Sequence, residues 1–300
     1  GNATNVLNQG TVTVNATATE GEAISIGIVG VLFGTYDSTY SGSPSVNLNI
    51  GSFNNTGTIG VYVESMSTNS FHEIYAFGLG GNVEIDNSGN LTNALLNSTI
   101  NNIYNSGNLT VTGIVNGTGS LEVRAIENVV ILENKENGNF TGNMTARLDS
   151  FVNEASGKVR VYGESGGKVE AMGLGVYVDY EGKSGSNATG NFTAILESFR
   201  NDGYMQVVGN STGSNATAYG VFVGMKYFGG NISGNFTGTI GSFVNNGTFK
   251  VITNANGTAK SYGVYVGGIN LSFPSINKIA RINSFENYKD MTVTATGGNA

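Results

Sequence analysis

The feature that most constrains this chain is a short phrase that recurs seven times along its length. Its clearest copy is Phe243-Val-Asn-Asn-Gly-Thr-Phe-Lys-Val251, and the others start at Val6, Phe53, Ile103, Phe151, Phe199 and Phe285. Two residues into each copy stands an asparagine: Asn8, Asn55, Asn105, Asn153, Asn201, Asn245 and Asn287. A glycine follows at Gly10, Gly57, Gly107, Gly157, Gly203 and Gly247, with Lys289 in its place in the last copy. Each copy closes on a valine (Val14, Val61, Val111, Val161, Val207, Val251, Val293), two residues after another apolar side chain such as Val12, Ile59 or Met291. A period of 42 to 50 residues held over the whole chain implies a repeat architecture before any other.

In most copies the apolar pair alternates with polar residues, as in Thr11-Val12-Thr13-Val14 and Lys158-Val159-Arg160-Val161. Alternation at period two marks a strand with one buried face. If equivalent residues lie one above another, the valines form a buried column. The asparagines then form a ladder whose amides, about 4.8 Å apart, hydrogen-bond along the stack. The glycine is expected to supply a turn conformation that a Cβ would penalise.

Each repeat holds three apolar stretches separated by Gly, Ser and Asn. In the fifth they are Met205 to Val208, Tyr219-Gly-Val-Phe-Val223 and Phe236-Thr-Gly-Thr-Ile240, and the fourth spells its second stretch Leu174-Gly-Val-Tyr-Val178. The predicted fold class is all-β: one parallel β-solenoid domain over residues 1–300, with about six coils of 42–50 residues plus one extra strand. Its connections are expected to be right-handed. The alternative is two short coils per repeat. Pro44 and Pro274 both fall between the second and third stretches, where a missing N–H costs no ladder bond.

The net charge of -7 comes with no basic cluster, so a nucleic-acid partner is not expected. No apolar run approaches the roughly 20 residues that cross a bilayer, which predicts no membrane span. There is no signal peptide, so the chain is either a mature form or cytosolic. Asparagine chemistry separates those two. There are 18 Asn-x-Ser/Thr sequons, at Asn2, Asn15, Asn54, Asn90, Asn97, Asn108, Asn116, Asn139, Asn143, Asn187, Asn191, Asn210, Asn215, Asn231, Asn235, Asn246, Asn256 and Asn270. Shuffling the same composition would give about eight. N-linked glycans at these sites would place the protein outside the cell. The absence of cysteine is compatible with that location, since a large regular core needs no disulfide staples.

Phe/Ile-x-Asn-x-Gly-Thr-Ile/Val followed by Ala-x-Gly-Val-x-Val resembles the β-strand repeats of autotransporter passengers and other large secreted β-helix adhesins. The resemblance covers essentially the whole chain, and it implies a β-helix fold at the cell surface. Sequon density without cysteine also looks like archaeal surface proteins. The chain departs from a complete autotransporter in having no β-barrel translocator segment and no Trp.

The first copy begins almost at the N-terminus and the seventh stops after its first strand, with no capping segment at either end. Bare coils are expected to continue their ladders into another molecule, giving a head-to-tail homopolymer joined through Val6, Val12, Val14, Phe285, Met291 and Val293. Between the paired valines of the second stretch, Tyr177, Phe222 and Tyr265 are expected to stack into an outward stripe for lateral contacts or sugar rings.

Catalytic signals are thin. Glu122, Arg124, Glu127, Glu133, Lys135 and Glu136 form the densest charged region, whose mixed signs read as a solvated face. Asp179/Glu181 and Glu84/Asp86 put paired carboxylates on one side of a strand, suited at most to weak Ca²⁺ binding. His72 has no candidate partner as a base or metal ligand. These residues predict a non-enzymatic, cofactor-free structural subunit of an extracellular filament, sheath or surface layer. The alternatives are an adhesin shaft or glycan-binding module and, third, a polysaccharide-acting enzyme.

Overall fold

The computed structural model describes residues 1–19, 21–69, 73–269 and 276–299, and over them the chain is all β, without helix. Pro274, Asn270, Phe71 and His72 lie outside the described residues. Each repeat makes one coil, because alternating apolar runs broken by short turns bring every strand beside its counterpart one repeat later. All strand pairs are parallel.

The first face of the solenoid stacks Asn2–Asn8, Ser45–Asn55, Asn90–Asn105, Asn139–Asn153, Asn187–Asn201, Asn231–Asn245 and Ile276–Asn287 in that order. The second stacks Thr11–Ala18, Thr58–Ser65, Asn108–Val115, Lys158–Ser165, Tyr204–Ser211, the start of Thr248–Ile269, and Met291–Asn299. The third stacks Ala23–Tyr36, Glu73–Asn87, Ser120–Asn134, Val169–Gly182, Ala216–Phe228 and the remainder of Thr248–Ile269. That last long strand runs unbroken through the corner and joins the second and third faces into one sheet. The solenoid reading and the register of the recurring motif hold: Val161 pairs with Val207, and the valine column runs from Val14 to Val293.

Inside, the copy-initial residues stack with the valines. Phe53, Ile103, Phe151, Phe199 and Phe243 are buried, and the Phe199 and Phe243 rings lie parallel, with centroids 4.6 Å apart. Each buried side chain of this size contributes about 1.5–3 kcal/mol. Beside them the asparagine ladder is complete. Asn8 donates through Nδ2 to Asn55 Oδ1 at 2.8 Å, and the same bond recurs to Asn105, Asn153, Asn201, Asn245 and Asn287 at 2.7–2.8 Å. The second amide proton of Asn55, Asn153 and Asn201 goes to a backbone carbonyl at 3.1–3.3 Å. A buried amide with both donors and its acceptor used avoids the 1–3 kcal/mol or so that each unmet group would cost.

The turn glycine has a different cause from the one expected. None of Gly57, Gly107, Gly157, Gly203 and Gly247 has positive φ. A Cβ on Gly107 would instead overlap the Gly57 carbonyl oxygen, and one on Gly247 would overlap that of Gly203. Close approach of stacked backbones, not turn conformation, demands glycine here.

Candidate functional site

The strands of the third face break the alternation once. Ala125 and Ile126 are consecutive and both face the core, and in neighbouring coils the first of the pair is Gly78, Gly173, Gly220 or Gly263. A Cβ on Gly173 would overlap Met205, and one on Gly220 would overlap Phe249, so the inward corner admits almost nothing else. Beyond this step the phase inverts, and residues three apart both project outward. The Tyr219 and Phe222 rings are 5.2 Å apart and those of Tyr262 and Tyr265 are 5.1 Å apart. The sheet folds around the corner with its outer side concave, which creates a groove running along the solenoid.

Its walls change from coil to coil. On one wall Phe77, Arg124, Met172, Tyr219 and Tyr262 occupy a single column. On the other, Glu84, Ile131, Asp179 and Lys226 share a column. The central coils enclose a cavity of about 580 Å³. Its far end is filled by a small second core of Met172, Tyr177, Tyr219 and Phe222, flanked by Tyr265.

Of the charged cluster read as a solvated face, Glu122, Arg124, Glu127 and Glu133 line this groove, with Asp179 and Lys226 beside them. Glu127 is 4% exposed, Lys226 3% and Asp179 6%. Arg124 pairs with Glu122 and Glu127 and lies 4.0 Å from Glu170. The Lys226 ammonium pairs with Glu170 and sits 5.1 Å from the Tyr177 ring centroid. The Tyr177 hydroxyl donates to Glu127. Glu122, Arg124, Glu133 and Lys135 are half-buried, and Glu136 is exposed. The expectation failed because the corner turns Glu127 to the same side as Arg124, and strands from two further coils supply Tyr177, Glu170 and Lys226.

Burial works against the Arg124 charge, but Glu127 and its neighbours outweigh it and keep the guanidinium protonated. Burial also opposes ionisation of Glu170, yet Lys226 and Arg124 hold its carboxyl below the usual range. Asp179 goes the other way: desolvation, only partly offset by Lys226, pushes it up to about 7. Burial raises the Tyr177 hydroxyl as well.

Among the described residues, three buried side-chain polar atoms lack a hydrogen-bond partner: Asn82 Oδ1, Arg124 Nε and Asp179 Oδ1. All three residues line this one cavity. Buried polar groups are normally satisfied, so two acceptors and a donor left open in one place single this cavity out as the candidate site. At the rim, oxygens of Glu84, Asp86 and Glu133 lie within 4.8 Å of one another, the one group among the described residues arranged to hold a metal ion. Lys135 already bridges Asp86, at 3.3 Å, and Glu133.

The predicted aromatic stripe is placed differently. Tyr177 and Phe222 do point away from the main core, but both are wholly buried in the groove, and Tyr265 is half-buried. Phe222 pairs with Tyr265, whereas Tyr177 pairs with Gly224 and meets Phe222 diagonally, ring centroids 5.5 Å apart. The aligned Gly-Val spellings mislead by two residues, since Gly173 rather than Gly175 fills the corner opposite Gly220.

The 17 described sequon asparagines are all exposed or half-buried, and the wholly buried asparagines, from Asn8 to Asn245, lie outside sequons. On the first face Asn143, Asn191, Asn235 and Asn277 form a surface ladder with bonds of 2.9–3.1 Å. Asn139, Asn187 and Asn231 form another, with bonds of 3.0 and 3.1 Å. The residues expected to join copies occupy the outermost rungs. Val6, Val12 and Val14 are half-buried opposite Phe53, Ile59 and Val61, as is Met291, while Phe285 is 49% and Val293 43% exposed.

Comparison with protein-family models, with curated proteins and with solved structures returns no match.

The groove is what sequence reasoning missed. Its one visible signal is the inward pair Ala125-Ile126 and its glycine equivalents, where strict alternation fails.

Proposed function

We propose that this chain is a saccharide-binding solenoid of the cell exterior, a rigid rod whose working surface is the groove of the third face. The observation that carries it is the convergence of Asn82 Oδ1, Arg124 Nε and Asp179 Oδ1 on one cavity bordered by Tyr75 and Tyr177. A pyranose ring offers hydroxyls that both donate and accept, with apolar C–H faces that pack on aromatic rings, and so meets each of these demands. Burying charge on the outer side of a sheet adds nothing that folding requires, and it is costly unless paired. The exposed sequons and the resemblance to secreted β-helix adhesins support the exterior location.

A glycan array followed by titration calorimetry tests this reading. Oligosaccharide binding in the wild type, weakened at least tenfold by Asn82→Ala or Asp179→Ala in variants that still unfold cooperatively, is the expected result. An array with no binder, or binding untouched by both changes, would sink it.

The structural-subunit reading is a second proposal. Phe285 and Val293 belong to the core columns yet are 49% and 43% exposed, an apolar surface on which strands of another copy could add to the ladder. Negative-stain microscopy of concentrated protein is expected to show filaments, and monodisperse single rods would refute it.

A further inference from the structure

The charge balance of the groove narrows the ligand further. The cations around it are already engaged: Arg124 serves Glu122 and Glu127, Lys168 in the cavity lining acts on Glu170, and at the rim Lys135 serves Asp86 and Glu133. Lys226 is bound to Glu170 while also facing Asp179. Carboxylates therefore outnumber the cations that can neutralise them, and Asp179, 94% buried by its 6% exposure, keeps an oxygen with no partner. Glu84 lies two coils away in the same column, with Ile131 between them, a separation of about 9–10 Å along the axis. An anionic ligand would be repelled here, and a neutral one would answer the hydrogen bonds but not the charge.

We infer that the groove selects a saccharide carrying a free primary amine, such as a hexosamine without its acetyl group, with the ammonium seated at Asp179 and facing Glu84. This rests on the saccharide reading above and specifies which sugars satisfy it. An ammonium donates up to three hydrogen bonds, so one can go to Asp179 Oδ1 while the others reach sugar or rim acceptors. Acetylation removes the charge and adds bulk at the same atom.

The site also couples to protons. The groups facing Asp179 are Lys226 from the next coil, Arg124 from the preceding one, and Glu170 and Glu181 from its own strand, with Glu84 beyond Ile131. Burial holds Asp179 partly protonated near neutrality, so seating a cation must expel that proton.

Titration calorimetry at about pH 6, where the sugar amine already carries its proton, with tetramers of glucosamine, N-acetylglucosamine, glucose and galacturonate tests the inference. The glucosamine tetramer is expected to bind at least tenfold more tightly than the acetylated or neutral tetramers, with galacturonate weakest. Its binding should release protons, seen as a dependence of the heat on buffer ionisation enthalpy. Asp179→Asn should remove both the preference and the proton release while retaining a cooperative thermal transition. Equal affinity for the first three tetramers would overturn the amine preference and leave the saccharide reading standing. If cadaverine binds as tightly as the glucosamine tetramer, or no tetramer binds at all, both fall.

Discussion

The interior ladder and the exterior groove are built from the same strands and treat side chains in opposite ways. Inside, one residue type recurs on every rung, and Asn8 through Asn287 and Val14 through Val293 find identical neighbours above and below. Outside, the column Glu84, Ile131, Asp179, Lys226 changes chemistry at each coil. The inner buried amides are satisfied, whereas the groove leaves three buried atoms open. Repetition is what a stack needs to be stable, and departure from repetition is where a solenoid has been shaped for something else.

The largest expected effect separates two glycines at equivalent places in the motif. Gly107→Ala should cost about 4 kcal/mol or prevent folding, because the new Cβ would overlap the Gly57 carbonyl. Gly10→Ala, with nothing within 4 Å of the added carbon, should stay within about 0.5 kcal/mol. Denaturant unfolding of both reads the difference, and equal costs would return the turn-conformation explanation.

Next comes Asp179. Its folded pKa is raised to about 7 from 3.8, so ionisation is resisted in the folded state. The protein should therefore lose stability as pH rises from about 4 to 7, by an amount of order 3–4 kcal/mol. Glu170, shifted downward, acts below this window and with the opposite sign. Urea midpoints across the range should fall for wild type and stay flatter for Asp179→Asn.

Lys226→Met strips the buried Glu170 of its nearer cation, leaving Arg124 at 4.0 Å, and should cost about 3 kcal/mol. Adding Glu170→Gln should recover most of it, because the uncompensated charge is then gone. A double-mutant cycle in which the second change recovers nothing would show that the pair is not coupled as described.

The smallest effect compares the two kinds of amide ladder. Asn153 and Asn191 make bonds of nearly the same length, 2.8 and 2.9 Å, one buried and the other exposed. Asn153→Ala should cost about 2–3 kcal/mol through the unmet groups left behind. Asn191→Ala should cost under about 0.5 kcal/mol, since water replaces what is lost.

How much could be read beforehand follows the same division. The stack, the valine column and the asparagine ladder were legible because each rests on a residue repeated in phase. The groove was not, because period-two reasoning puts Arg124 and Glu127 on opposite faces, and only the bend at Ala125-Ile126 reunites them. The register of Tyr177 was lost for a related reason: the spelling favours Gly175 as the partner of Gly220, but steric demand at the corner selects Gly173. Partners for Tyr177 and Glu170 come from other coils, and no local pattern announces them.

Every rung of the interior ladder hands its proton forward, from Asn8 toward Asn287. Seven aligned amide dipoles, joined by six bonds, give the rod an electrical sense along its axis, as peptide dipoles do for a helix. Its opposite extremities are thus chemically unlike: one offers a carbonyl oxygen and the other an amide N–H. Two such bodies placed with like extremities together would set acceptor against acceptor or donor against donor, so any longer arrangement that preserves this wire of bonds must run one way.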